Sequence, residues 1–379
     1  MKIGIDISCF LVKRKTGISW YAYYLVTNLA KIDKENLYIL FGCSIEKYKE
    51  KFYLQRKIKS ENFYISVKIL PNKLVSSLQM IFPVEILHGK FDLIHILVQP
   101  YYCLNIYGKQ IITFHDLGYI IFPSWFHPLE VETFKFAVIR AIRKSDKIIT
   151  VSNSTKEDLI NYFNVKPEKI SVVYEGVDDF FHRVEDKERI ENIKRKYGIY
   201  KKYLLCVCTV EPKKNHIRLV NTFAKIKEKI PDYQLVICGK LGWKKKEFLK
   251  KLNELPVRVR KDIVLTNYVP YQDLPLLYSG SDIFIYPSLY EGFGLPILEA
   301  MRCGVPVITS NVSSMPEVAG DAALLVNPRD EEEIGWAILK LIEDNELRKK
   351  LIEKGLKRSE MFTWENTAKR TLEIYKELS

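Results

Sequence analysis

Short apolar runs alternate with longer stretches whose apolar positions recur every three or four residues, and this alternation continues along the whole chain. The short runs predict buried strands and the longer ones amphipathic helices. Their regular succession predicts parallel sheets covered by helices. In the first half the expected strands are residues 3–7, 38–41, 64–69, 93–97, 110–114, 147–151 and 170–173. Helices are expected at 19–31, 73–88, 128–144 and 153–162. A polar stretch near 182–200 interrupts the pattern, which then restarts. Strands are expected at 203–208, 234–238, 263–265, 283–286, 307–309 and 323–326, and helices at 215–229, 246–255, 272–278, 295–302, 331–343 and 346–360. A last helix, 364–377, follows Thr363, a suitable N-cap.

This α/β pattern implies two Rossmann-like domains, residues 1–176 and 177–362, with 363–379 as a terminal helix. A chain of 379 residues fits two domains of ordinary size. Ligands of open parallel sheets bind beyond the carboxyl ends of the strands, so two facing sheets are expected to form a cleft. Fold alone does not assign a function; the loops at those strand ends do.

Composition narrows the classes. The chain is 47% hydrophobic and 28% charged, with no apolar run of the roughly 18–20 residues that cross a bilayer. Met1 runs straight into an apolar strand, unlike a signal peptide, so a cytoplasmic location is expected. The seven cysteines form no CxxC pair and lie mostly in apolar strands, which suggests reduced core thiols rather than disulfides or a zinc site. The net charge of +13 calls for an anionic partner or for solvated helix faces. No nucleic-acid motif is present, so no nucleic acid is expected. Phosphorylated substrates and an anionic membrane surface remain as partners.

The most informative segment is Pro287-Ser288-Leu289-Tyr290-Glu291-Gly292-Phe293-Gly294-Leu295-Pro296-Ile297-Leu298-Glu299, which begins at the end of an expected strand and runs into a helix. Gly292 and Gly294 permit a tight backbone path and a close ligand approach. Pro296 suits the first helical turn. The N–H groups and positive dipole end of that helix form a site for phosphate. Glu291 and Glu299 flank it, and carboxylates there suit sugar and ribose hydroxyls. The layout describes a nucleotide sugar.

With these residues, the chain resembles the family-4 retaining glycosyltransferases, which have the GT-B architecture. Residues 282–328 look like that family's donor block. Thr113-Phe114-His115-Asp116, Thr150-Val151-Ser152-Asn153-Ser154, Glu175-Gly176-Val177-Asp178 and Glu211-Pro212-Lys213-Lys214-Asn215 follow the family's order. The resemblance implies that Glu299 binds the ribose and that Glu291 faces the transferred sugar. It also implies that the backbone at Phe293, Gly294 and Leu295 meets sugar hydroxyls and phosphates. The terminal helix is then expected to cross back onto the N-terminal domain.

A leaving diphosphate needs positive charge, and the Asp-x-Asp pair that commonly holds a divalent cation is absent, so no metal and no other cofactor are expected. Lys214 stands at the family's lysine position and is the expected charge partner. Many relatives have an arginine where this chain has Thr209, Val210 and Glu211; Thr209 is grouped with the donor-binding residues. Gly17, in Thr16-Gly17-Ile18-Ser19 after the first strand, either presents backbone amides to the substrates or makes a plain turn. His115 ends a strand and, by the resemblance, approaches the donor sugar, with Asp116 on the acceptor side. His95 reads as structural.

The resulting expectation is a retaining, metal-independent hexosyltransferase. Its donor is a nucleoside-diphosphate sugar, GDP-mannose ahead of a UDP-sugar, because Glu-Pro-Lys-Lys-Asn occurs in mannose-handling relatives. The acceptor is a glycan or lipid-linked saccharide of a surface polysaccharide. The segment 73–88, rich in apolar residues and broken by Pro83, reads as a kinked core helix or a membrane contact. Lys13, Arg14 and Lys15 are placed to meet lipid phosphates. Two other classes stay open: a non-catalytic nucleotide-sugar-binding subunit, and an epimerase or phosphorylase of the same architecture.

Overall fold

A computed structural model describes residues 1–12, 15–43, 48–68, 85–98 and 107–379. The chain forms two compact units, Met1–Gly176 with Thr363–Ser379, and Val177–Phe362.

In the first unit the described strands are β1 (Lys2–Asp6), β2 (Leu37–Cys43), β3 (Phe63–Lys68), β4 (Leu93–Ile96), β5 (Lys109–Phe114), β6 (Lys147–Thr150) and β7 (Ile170–Val172). They form a parallel sheet in the order β3-β2-β1-β4-β5-β6-β7. Its strands read as continuous apolar runs because both faces are covered: Ile94, Ile96, Ile112 and Phe114 are fully buried with Phe134, Val138 and Leu159 of the covering helices.

In the second unit β8 (Lys202–Val207), β9 (Tyr233–Cys238), β10 (Ile263–Asn267), β11 (Ile283–Tyr286), β12 (Val307–Ser310) and β13 (Ala323–Val326) form a parallel sheet in the order β10-β9-β8-β11-β12-β13. Leu204, Leu235, Ile285 and Ile308 pack there with Leu219, Phe223, Ile334 and Ile338.

The terminal helix, Trp364–Glu377, belongs to the first unit, where it packs on the helix Gly17–Ile32. The Thr363 hydroxyl caps it, accepting from Asn366 N at 3.2 Å. The Trp364 ring stacks on Tyr24 at 5.2 Å between centroids. Inside, Tyr375 Oη lies 2.6 Å from Nδ1 of His95, whose Nε2 is 2.8 Å from Thr113 Oγ1. Burial pushes the His95 imidazole down to about 3, so it is neutral and structural. A side chain at Gly176 would place Cβ 2.2 Å from Trp364 N, which explains glycine where the chain leaves the unit.

Several elements differ from the pattern reading. The polar stretch near 182–200 holds a helix, Lys187–Lys196, capped by Asp186 through Arg189 N at 3.0 Å. It escapes detection because it is almost wholly charged and buries Ile193 alone. Another helix, Tyr48–Lys57, was also not anticipated. The helix expected at 215–229 is His216–Ile226: Asn215 adopts the left-handed conformation at φ 61° after the 3-10 turn Pro212–Lys214, and residues 227–229 form a turn closed by Lys229 N on the Ile226 carbonyl. Of the 73–88 helix, only Glu85–His88 lies among the described residues, and it is helical. Lys13, Arg14, Ile69 and Cys103 fall outside them. Lys15 turns its ammonium back onto the carbonyls of Phe10 and Val12. No helix among the described residues is long and apolar enough to cross a membrane.

Candidate active site

β8 and β11 are neighbours, with Leu204 beside Ile283 and Leu205 beside Phe284. From there the sheet builds outward in opposite directions, so the loops after these two strands flank its topological switch point. Lys214 comes from the first loop and Glu291 from the second.

The two loops are laced together. Leu289 N donates to the Lys213 carbonyl at 2.7 Å. The buried Asn215 amide donates to the carbonyls of Pro287 at 3.0 Å and Pro328 at 2.6 Å. This fixes Lys214, whose ammonium donates to Glu291 Oε1 at 2.6 Å and to Tyr286 Oη at 2.8 Å. The two charged side chains are only 12% and 8% exposed, so solvent screens them weakly. Burial works to raise the Glu291 carboxyl, but the ammonium groups of Lys214 and Lys213 outweigh it and hold it below the usual carboxylate value. Burial works to lower Lys214, and Glu291 outweighs it in turn, so the lysine is held above its ordinary value. Both groups are therefore charged at neutral pH.

Ser313 and Ser314 complete the Glu291 loop. The Ser313 hydroxyl accepts from Glu291 N at 3.2 Å and donates to its carbonyl at 2.6 Å. The Ser314 hydroxyl lies 3.0 Å from the same carbonyl and 2.7 Å from that of Phe293. Neither serine was singled out from the sequence. Their only signal there was position, immediately before Met315-Pro316-Glu317 within the donor block.

Gly294 has φ 116°, in the region that disfavours a side chain, and it leads into the helix Leu295–Arg302 with Pro296 in the first turn. The start of this helix directs first-turn N–H groups and the positive dipole end toward the space beyond the strands. Gly292 and Phe293 are buried in the turn, and Leu295 is half-buried. Glu299 is half-buried on the same helix and accepts from Tyr278 Oη at 2.8 Å. Burial pushes its carboxyl up to about 7; Tyr278 opposes the shift and Asp178 adds to it. Thr209 lies half-buried just after β8.

In the first unit, His115 follows β5 and is 8% exposed. Its Nε2 lies 2.9 Å from the Leu97 carbonyl and its Nδ1 3.2 Å from the buried Glu175 carboxylate. Tyr21 meets the imidazole edge-on at 4.7 Å. Asp116 is half-buried and accepts from Gly118 N at 3.0 Å, closing the turn into the next helix. Gly17 opens the helix that carries Tyr21. It is exposed, its φ is not left-handed, and nothing lies within 4 Å of where a Cβ would be, so the local backbone does not require glycine there.

The second unit thus brings Lys214, Glu291, Gly292, Phe293 and Gly294 to one end of its sheet, with Glu299 a turn deeper. The arrangement offers a fixed cation, a helix start and two acids whose carboxyls are shifted in opposite directions. An incoming diphosphate can share the ammonium beside the Glu291 carboxylate, which can accept a hydroxyl.

The chain is similar to known sequences and structures. The family Glycosyl transferases group 1 matches residues 189–358, and Glycosyltransferase Family 4 matches residues 16–179. The O-antigen chain mannosyltransferase B of Escherichia coli is 34% identical over 270 residues, covering 71% of this chain and 70% of that one. The serotype-specific mannosyltransferase WbdA of Escherichia coli is 28% identical over 277 residues, and the aligned part is 34% of its length, so this chain spans about a third of that larger relative. The Anabaena protein HepE, solved in complex with UDP-glucose, superposes over 100% of both chains with a TM-score of 0.76 and 19% identity, which establishes the GT-B fold. The chain is a glycosyltransferase and belongs to the group 1, family 4 enzymes.

Proposed function

We propose that this protein transfers a mannosyl residue from GDP-mannose to a saccharide acceptor of a growing surface glycan, with retention of anomeric configuration and without a divalent cation. The names of its relatives support the sugar and the pathway class, since both Escherichia coli proteins are mannosyltransferases and one builds an O-antigen chain. The observation that carries the chemistry is the buried Lys214–Glu291 pair at the switch point of the second sheet.

In this reading Lys214 stays with the diphosphate as the sugar–phosphate bond breaks and takes up its developing charge, the part a metal ion plays elsewhere. Glu291 binds hydroxyls of the transferred sugar, and Glu299 the ribose hydroxyls. Main-chain groups of Gly292, Phe293, Gly294 and Leu295 meet the sugar and phosphates, with Thr209 and Gly17 at the edge of the donor. The leaving phosphate accepts the acceptor's proton, so attack comes from the face the diphosphate leaves and configuration is kept. His115 and Asp116 serve the acceptor side, with the acceptor free or linked to lipid at an anionic membrane surface.

Thermal stabilisation by GDP, UDP and their sugars in a chelating buffer tests the donor. The reading requires stabilisation by the guanine series, and preferential stabilisation by UDP-sugars overturns the choice of GDP-mannose.

A further inference from the structure

At the base of the Lys214 loop lies a group of soft donor atoms that the transfer reaction does not use. Cys206 and Cys208 are two residues apart at the end of β8, so their side chains emerge on the same face of the sheet. His216 opens the helix after the loop and meets them there. The two Sγ atoms are 3.7 Å apart, and Nε2 of His216 is 3.4 Å from Cys208 Sγ and 3.9 Å from Cys206 Sγ. Cys206 and His216 are buried and Cys208 is half-buried.

These edges match a tetrahedral metal. With Zn–S near 2.3 Å and Zn–N near 2.0–2.1 Å, two thiolates lie about 3.8 Å apart and each lies about 3.5 Å from the imidazole nitrogen. The three donors therefore occupy three corners of a tetrahedron without rearrangement of the strand. His216 Nδ1 is buried with no hydrogen-bond partner, so sulfur supplies the ring's only polar anchor among the described residues. His216 and Phe248 also line a pocket of about 300 Å³ with Glu211, Trp243 and Glu247.

We propose that Cys206, Cys208 and His216 bind a thiophilic d10 cation of the Zn²⁺ type, with a water or anion from the pocket as fourth ligand. Binding forms two metal–thiolate bonds and one metal–imidazole bond and releases the two thiol protons to solvent. Because Cys208 and His216 bracket residues 209–215, the ion closes that loop at its base and fixes the platform on which Lys214 stands. It acts apart from the leaving diphosphate.

The test is a Co²⁺ titration of the metal-free full-length protein followed by Zn²⁺ competition. We expect one Co²⁺ per chain, a near-ultraviolet thiolate-to-cobalt band and the intense visible bands of a tetrahedral ion, all removed by Zn²⁺. Cys208→Ser should lose about half of the thiolate band, and His216→Asn should weaken Co²⁺ binding at least tenfold. Zn²⁺ should slow amide exchange in 209–215 at least tenfold in the wild type and leave Cys208→Ser unchanged. A wild-type spectrum of octahedral cobalt without a thiolate band overturns the proposal, whatever the folding of the variants. So does a Cys208→Ser spectrum identical to wild type.

Discussion

Lys214 and Glu291 hold each other's charge in a place where neither would keep it alone, and the consequences of separating them are large. Glu291→Ala leaves a buried ammonium without its carboxylate, which costs about 3–5 kcal/mol for such a pair. Glu291→Gln keeps the volume and an acceptor oxygen. Both remove the negative charge, so both are expected to lose at least a hundredfold in kcat and to lower the urea midpoint; a glutamine variant as stable as wild type would contradict the pairing. The depressed carboxyl contributes stability that is present above the ordinary carboxylate range and lost as pH falls through its folded value. Glu299 has the opposite sign. Raised from 4.5 to about 7, it contributes stability that is complete below pH 4.5 and lost as pH rises through 7. Glu299→Gln should therefore flatten the decline in urea midpoint between pH 5 and 8, a difference of about 1–3 kcal/mol that titrated unfolding curves will read. These acids were legible as candidates because helix-start chemistry is local. Their partners were not: Lys214 and Glu291 are 77 residues apart, and only the adjacency of β8 and β11 joins them.

At the scale of elements, the strands were legible because burial on both faces leaves an unbroken apolar run that no helix pattern imitates. Helix ends were less so: Asn215, the first residue of the expected helix, closes the Pro212–Lys214 turn in the left-handed conformation, and the helix ends at Ile226. The turn at Gly294 makes a comparable demand. Gly294→Ala forces a side chain into φ 116° and is expected to cost about 1–2 kcal/mol and to raise the KM for donor more than it lowers kcat. A donor KM unchanged from wild type would detach this turn from the phosphate. The terminal helix offers an independent check. Tyr375→Phe strands Nδ1 of His95 in the core, so the first unit should lose about 1–3 kcal/mol in urea unfolding with donor binding to the second unit intact.

Across the whole molecule, two parallel-sheet units repeat one design, and the chain returns to the first unit after Phe362 for its last helix. The second unit carries Lys214 with Glu291 and the first carries His115 with Glu175. The central claim is that a lysine–glutamate pair and a helix start replace a metal ion in cleaving a nucleoside-diphosphate sugar. Phosphorus and proton NMR of GDP-mannose turnover, run without a chelator and with or without added Mg²⁺ on a mannose-terminated oligosaccharide, tests it most directly. The account predicts GDP and an α-mannoside at the same rate with or without Mg²⁺, and at least a hundredfold less with Glu291→Ala. Turnover that appears only when Mg²⁺ or Mn²⁺ is added, or a β-linked product, would contradict it.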